Sequence, residues 1–554
     1  LTAPGAPSVS ATALDSDQTL TVTGTIPTTG TSPYAWEWLI SVDGGSYSLA
    51  TQCATDSGTG ASGGATVTCT ITGGTLTPGD TYAFELEVAD SASTPETQTS
   101  LASSTVTVAT ALTPPGTPSV SSTALDVNQA LTVTGTIPTT GTSPYAWEWL
   151  VSVNGGSYGL ATQCAVNSGT GASAGATVTC AISSSKLTAG DTYAFELQVT
   201  DSASTPQPQT SSASSTVTVA SALTAPSKPA VNRPALDANQ VLTVTAKIPT
   251  TGTSPYAWEW LVSVNGGSYV PATQCAVNSG TGASAGATET CSVGANTLAA
   301  GSYYNFELKA ADSATIGETK TSAASPTVTV SSALTTPGAP SVSATKLDSD
   351  QPLTVTGTIP STGTSPYAWE WFVSVNGGTY VAATQCAVNS GSGASAGTTV
   401  TCSIAASTLT VGDHYTFELK VGDSATASET KTSAASAKVT VSSALTPPAA
   451  PTVSTTSLVV THALTVKGTI PTTGSSPYAW EWMISVNGGS YVPATQCTVN
   501  SGTGAAAGHT VTCSIAANTL TVGDTYSFEL VVTDGATTPQ TQTSAASATV
   551  TVKV

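Results

Sequence analysis

The tetrapeptide Leu-Thr-X-Pro returns at Leu1, Leu112, Leu223, Leu334 and Leu445, so the chain of 554 residues is five copies of one 111-residue unit without insertion or deletion. The units are residues 1–111, 112–222, 223–333, 334–444 and 445–554. A period this strict constrains the fold strongly. Each unit must close its own core, and each must meet its neighbour through an equivalent contact. A sequence that begins and ends on repeat boundaries matches either a processed polypeptide or a segment of a longer array.

Within the first unit, residues 32–45 read SPYAWEWLISVDGG. At period two, Tyr34, Trp36, Trp38, Ile40 and Val42 share one face, while Ala35, Glu37, Leu39 and Ser41 share the other, which predicts a half-buried strand with an aromatic inner face. The Asp43-Gly44-Gly45 that follows supplies the positive-φ residues of a tight hairpin turn. Further strands are expected over Pro7 to Ala13 as one edge strand, Leu20 to Ile26, Ser46 to Ala50, Thr66 to Ile71, Tyr82 to Val88 and Ser104 to Val108. That gives seven short strands and no helix. Ala54 to Thr68 reads as a loop that only Thr66 onward leaves as strand, with the cysteines on either side stapling it. The interior of this loop holds nothing large enough to anchor a core.

Seven strands in a unit of this size, a Trp on the central strand and the corner Leu76, Gly79, Tyr82, Phe84 resemble immunoglobulin-like sandwiches. The resemblance is strongest to the tandem Ig-like, fibronectin-III-like and PKD-like repeats of prokaryotic cell surfaces and extracellular filaments. The corner recurs as Leu187, Gly190, Tyr193, Phe195 and continues through Tyr526. The resemblance implies an all-β chain of five tandem Ig-like antiparallel β-sandwich domains. The joints carry prolines at fixed places, Pro115/Pro118, Pro226/Pro229, Pro337/Pro340 and Pro448/Pro451, and no Gly/Ser tract. Joints of that kind favour a rod, on the order of 15 to 20 nm long at strand rise.

Ten cysteines fall two per unit and always 16 positions apart: Cys53/Cys69, Cys164/Cys180, Cys275/Cys291, Cys386/Cys402 and Cys497/Cys513. Five disulfides inside the units are the simplest reading, because two sulfurs with no recurring His do not make a metal site. Disulfides at this density point to an extracellular or cell-surface location. No stretch reads as a transmembrane segment, so membrane insertion by this chain is not expected.

Only 8% of residues are charged, and 12 Lys+Arg face 32 Asp+Glu. The first unit has no Lys or Arg, which argues against nucleic acid as a partner. By unit the net charge runs −10, −4, −1, −3 and −2. A chain with so few ionisable groups takes up few protons on acidification, as suits a protein facing the acidic exterior of an acidophile.

Candidate site residues are sparse. The histidines His414, His462 and His509 occupy three different repeat positions, so no repeated catalytic or metal-binding histidine exists. Asp15 and Asp17 invite comparison with a calcium loop. Their counterparts run Asp126/Asn128, Asp237/Asn239, Asp348/Asp350 and then Val459/Thr461, and a solvated acidic turn accounts for them. The recurring pair is Glu37 and Glu85, repeated as Glu148/Glu196, Glu259/Glu307, Glu370/Glu418 and Glu481/Glu529. Parity places both carboxylates on the outer face of one sheet, as a contact face; a glycosidase pair would need a cleft that a sheet face lacks.

These readings converge on a non-enzymatic extracellular structural protein without cofactors. It would be a subunit of a surface filament, associating head-to-tail with further copies of itself, or a rigid stalk. The alternatives are an adhesin or carbohydrate-binding array with cell-surface or glycan partners, and the non-catalytic tail of a secreted hydrolase.

Overall fold

In the computed structural model, which describes all 554 residues, every unit folds into two packed sheets and no helix forms. The first unit contains ten strands: β1 Ser8–Val9, β2 Ala13–Asp15, β3 Leu20–Thr25, β4 Tyr34–Val42, β5 Ser48–Leu49, β6 Ser57–Ala61, β7 Thr66–Ile71, β8 Thr81–Ala89, β9 Thr97–Thr99 and β10 Val106–Ala109. The smaller sheet has the order β1-β3-β7, and the larger has β2-β10-β8-β4-β5, with β6 also paired to β4 and β9 to β8. All pairs are antiparallel except β2 with β10, which run parallel. The other four units repeat this order.

This is the Ig-like sandwich expected from the sequence, and a tyrosine corner marks it. The Thr77 amide donates to the Tyr82 hydroxyl at 2.9 Å, and the same bond forms at Tyr193, Tyr304, Tyr415 and Tyr526. Alternation along β8 buries Tyr82, Phe84, Leu86 and Val88. Trp38 sits at the centre with 0% exposure, against Leu86 and over Gly24, where a Cβ would stand 3.0 Å from the indole. The third unit accommodates Ala246 at that point.

One disulfide forms in each unit, Cys53–Cys69, Cys164–Cys180, Cys275–Cys291, Cys386–Cys402 and Cys497–Cys513, with Cα–Cα separations of 4.9 to 5.0 Å. Each ties the segment after β5 to β7 of the opposite sheet, a place different from the inter-sheet bridge of antibody domains. Closing a loop of this length contributes about 3 kcal/mol.

Four expectations need correction. The strand over Pro7 to Ala13 is two strands in different sheets. The Ser10 amide still bonds Thr21 in the small sheet, while the carbonyl of Thr12 already accepts from Thr107 in the large one, so the chain crosses between sheets there. The expected loop between the cysteines contains a strand, β6, whose glycines gave no apolar alternation to read. The bridges close the segment between the cysteines, and they are buried. Cys69, Cys180, Cys291, Cys402 and Cys513 are each 0% exposed, and their partners Cys53, Cys164, Cys275, Cys386 and Cys497 are 7% exposed. Alternation along β7 turns Val67, Cys69 and Ile71 inward together, so the second sulfur of every pair is part of the hydrophobic core.

The inner face of β4 is not uniform either: Tyr34, Trp38 and Ile40 are buried, Trp36 is half-buried and Val42 is 37% exposed. A bulge in the pairing with β6 displaces Trp36, whose indole lies against Gly58 so closely that a Cβ there would come within 2.8 Å. With β9 and the split first strand, the count per unit is ten strands rather than seven.

The Leu-Thr-X-Pro leucine belongs to the unit it opens. Leu112, Leu223, Leu334 and Leu445 are each buried in the core that follows. Only Thr110 and Ala111 therefore separate the end of β10 from the next core.

Candidate functional site

Two groups of carboxyls stand out, one on the outer face of the large sheet and one between units. On the outer face, β4 and β8 are neighbours, and both Glu37 and Glu85 lie on their outward side. The residue directly opposite Glu37 is Glu87, however, and Glu85 faces Leu39. The partners of the other copies differ: Glu148 faces Gln198, Glu259 faces Lys309, Glu370 faces Lys420 and Glu481 faces Val531. Glu196, Glu307, Glu418 and Glu529 face Leu150, Leu261, Phe372 and Met483. The recurring Glu pair is thus diagonal, with its members about 7 to 8 Å apart along the sheet.

Burial pushes Glu85, Glu196, Glu307, Glu418 and Glu529 up from the usual carboxylate range. Glu37 is pushed up by burial and then by Glu87 beside it. In the third unit the Lys309 ammonium stands 3.6 Å from Glu259, and in the fourth Lys420 lies 5.7 Å from the centre of the Phe372 ring.

Beside Glu37 the bulge opens a shallow groove of about 420 Å³, walled by Trp36, Glu37, Ser57, Gly58 and Glu87. Equivalent grooves flank Trp147, Trp369 and Trp480. One wall changes from Glu to Gln, Lys and Val between copies, so no single ligand charge suits them all. The groove can hydrogen-bond a polar chain laid across the face; its Glu37–Glu87 carboxyl pair belongs to the first unit alone.

The joints are built differently. At the first, the carbonyl of Ala13 accepts from the Ser204 amide at 2.9 Å, the Gln18 carboxamide donates to the Thr205 carbonyl at 2.7 Å, and the Thr142 hydroxyl donates to Asp15 Oδ1 at 2.7 Å. The linker carbonyl of Thr110 accepts from the Gly141 amide at 2.7 Å. The three later joints repeat every one of these bonds. The hydroxyls of Thr253, Thr364 and Ser475 donate to Asp126, Asp237 and Asp348, and the carboxamides of Gln129, Gln240 and Gln351 reach the carbonyls of Ile316, Ala427 and Thr538. Asn128 also bonds Glu318 across the second joint.

Asp15 is therefore not in a solvated turn. It is 0% exposed, as are Asp126, Asp237 and Asp348, because the following unit covers it. A second buried aspartate neighbours it from that unit: Asp201 beside Asp15, Asp312 beside Asp126, Asp423 beside Asp237 and Asp534 beside Asp348. Burial first, and the facing aspartate second, pushes Asp15, Asp237 and Asp348 up to about 7 and Asp126 up to about 6. In the first unit the counterpart of the second aspartate, Asp90, faces no preceding unit. It accepts the backbone amides of Glu96, Thr31 and Ala92, which hold it below its usual value.

Sequence reasoning found the joints through their prolines but read Asp15 and its counterparts as a solvated turn and did not single out Asp201, Asp312, Asp423 and Asp534. A usable signal was present: the first aspartate recurs in four of the five units, with Val459 in the fifth. Its hydroxyl partner stays Thr or Ser throughout. No three His, Cys, Asp or Glu side chains converge to hold a metal ion.

No protein-family model matches the chain, and no curated protein matches it. Among solved structures it is similar to an ICAM-5 D1-D4 ectodomain fragment, at 14% identity and a TM-score of 0.33, over 79% of this chain and 99% of that one. The Ig-like assignment rests on the strand order and the tyrosine corner.

Proposed function

We propose that the chain is a non-enzymatic extracellular structural element, a stiff spacer or filament subunit in which five sandwiches act as one length of material. The observation that carries this reading is the fourfold repetition of the joint: the same carbonyl, carboxamide, hydroxyl and linker bonds between every pair of consecutive units. Repeats joined by flexible linkers have no need of such bonds. The disulfides support an oxidising, extracytoplasmic setting.

Association of copies into a longer filament is the larger-scale form of the same proposal. The fifth unit carries Val459, Thr461 and His462 where the joints use Asp, Asp or Asn, and Gln, so a head-to-tail contact made by it would differ chemically from the internal ones. Negative-stain microscopy of native material tests the reading: long uniform fibres or straight projecting stalks support it, and randomly bent beads refute it.

The recurring Trp groove favours one second reading, an adhesive array that lays a glycan across the outer sheet face. Saturable binding on a glycan array, abolished by Trp36→Ala together with its counterparts, would support that reading over the structural one.

A further inference from the structure

We propose that each joint is closed by one proton shared between two buried aspartate carboxyls, Asp15 with Asp201, Asp126 with Asp312, Asp237 with Asp423 and Asp348 with Asp534, so that consecutive units lock together in acid and loosen as the medium turns alkaline. At every joint one oxygen of the first aspartate, Oδ1, accepts a Thr or Ser hydroxyl, and the other, Oδ2, is buried with no hydrogen-bond partner. A second carboxyl lies beside it: at the first, third and fourth joints the residue whose hydroxyl serves the first aspartate gives its own amide to the second. At the first joint Asp201 already accepts the amides of Thr142 and Gln207, both at 3.3 Å. Two buried carboxyls set side by side, one with an oxygen that no protein donor reaches, are reconciled by a proton or a cation between them.

The donor set decides for the proton. A hard divalent cation takes six or more oxygen ligands. Here, at the first joint, Asp15 Oδ1 takes a hydroxyl and both oxygens of Asp201 take amides, which leaves one carboxyl oxygen of the pair free, and at no joint do three His, Cys, Asp or Glu side chains converge. The other ionisable groups nearby add to the repulsion a second negative charge would meet: Asp17 at the first joint, Glu318 at the second, Glu429 at the third and Asp350 at the fourth. From the following unit the phenols of Tyr145, Tyr256, Tyr367 and Tyr478 face the pairs, and burial with the neighbouring aspartates pushes them up. The one lysine that bonds across a joint, Lys346, spends its ammonium on the Ser476 carbonyl.

The sign follows from proton counting. An undocked aspartate releases its proton at roughly pH 4, whereas the docked one keeps it to near neutrality. Docking is therefore at full strength below the lower value, weakens by up to about tenfold per pH unit between the two, and is weakest above the upper. A carboxyl pair of this kind supports an acidic working environment.

Small-angle scattering of the full chain at about pH 4 and about pH 8.5 tests the proposal, beside a variant carrying Asp15→Asn, Asp126→Asn, Asp237→Asn and Asp348→Asn, whose amides donate without titrating. Circular dichroism and the absence of free thiols show in each sample that the sandwiches are intact. The wild type should be extended and uniform in acid and broaden in its distance distribution at alkaline pH, while the variant keeps one profile. A wild type unchanged across that range, or a variant that titrates as the wild type does, overturns the proposal. So does recovery of the acid profile at alkaline pH on adding calcium or magnesium, which would make the site a cation site. Infrared difference spectra give an independent reading: a protonated carboxyl band in the wild type near pH 6 supports the shared proton, and its absence refutes it.

Discussion

The outer sheet face and the joints both gather carboxyls, yet they obey different rules. On the face, the residue opposite the first glutamate drifts through Glu87, Gln198, Lys309, Lys420 and Val531, because solvent screens each charge and no neighbour needs it. At the joints both aspartates and the hydroxyl recur at every contact, because a buried acceptor left without its donor costs about 1 to 3 kcal/mol. Carboxyls recur in both regions; position in the assembly decides whether their neighbours recur with them.

The comparison breaks most readily at the joint hydroxyl. Thr253→Val keeps the shape and removes the donor to Asp126, and it should weaken docking of the second and third units by about 1 to 3 kcal/mol. Calorimetry of the full chain would show this as a unit melting apart from its neighbours. Ser390→Ala, at the groove of the fourth unit, should leave the melting profile unchanged; equal effects from the two substitutions would erase the distinction.

Acidity should separate the two regions next. The sandwich interiors hold few charges and should melt alike in acid and at neutral pH. The joint carboxyls, raised by burial, lose their contribution as pH rises from the ordinary aspartate range through about 7. The face glutamates shift in the same direction but stand partly in water, so their share is small. Hydrogen exchange of the Ser204 amide, bonded across the first joint, should quicken with alkalinity beyond the intrinsic rate, while exchange in β8 should not.

A smaller effect is expected from Glu87→Lys, which copies the third and fourth units into the first. It replaces a like-charge neighbour of Glu37 with an ion pair and should lower the Glu37 pKa measured by NMR, with at most about 1 kcal/mol gained in stability. The smallest should come from Lys309→Ala. Loss of its 3.6 Å contact with Glu259 should cost less than about 0.5 kcal/mol, and added salt should abolish even that. A salt-resistant loss would show that the face pair is shielded as the joints are.

Much of the fold was legible because its causes are local and periodic. Alternation exposed β3, β4, β7 and β8, Asp43 and Gly44 adopt the positive φ their turn requires, and the disulfides follow cysteine spacing. Spacing gave the pairing but not the depth: Cys69 and its counterparts lie in the core because β7 packs its inner face against the other sheet. The crossover of the first strand was not legible, since Ser and Ala along Pro7 to Ala13 fit either sheet. Nor was β6, a strand of glycine and small polar residues held by pairing alone. Trp36 and Trp38 share a parity, yet the bulge opposite Gly58 sends one to the groove and leaves the other in the core.

What the sequence determined by itself was the repeat, its period, the sandwich and the covalent pairing, because each is written in neighbouring residues or in exact recurrence. The joints were decided only in three dimensions. Asp15 and Asp201 lie far apart in the chain, and each reads alone as a polar turn residue. Only docking buries both, and burial beside a second carboxyl is what pushes Asp15 up from the ordinary aspartate range.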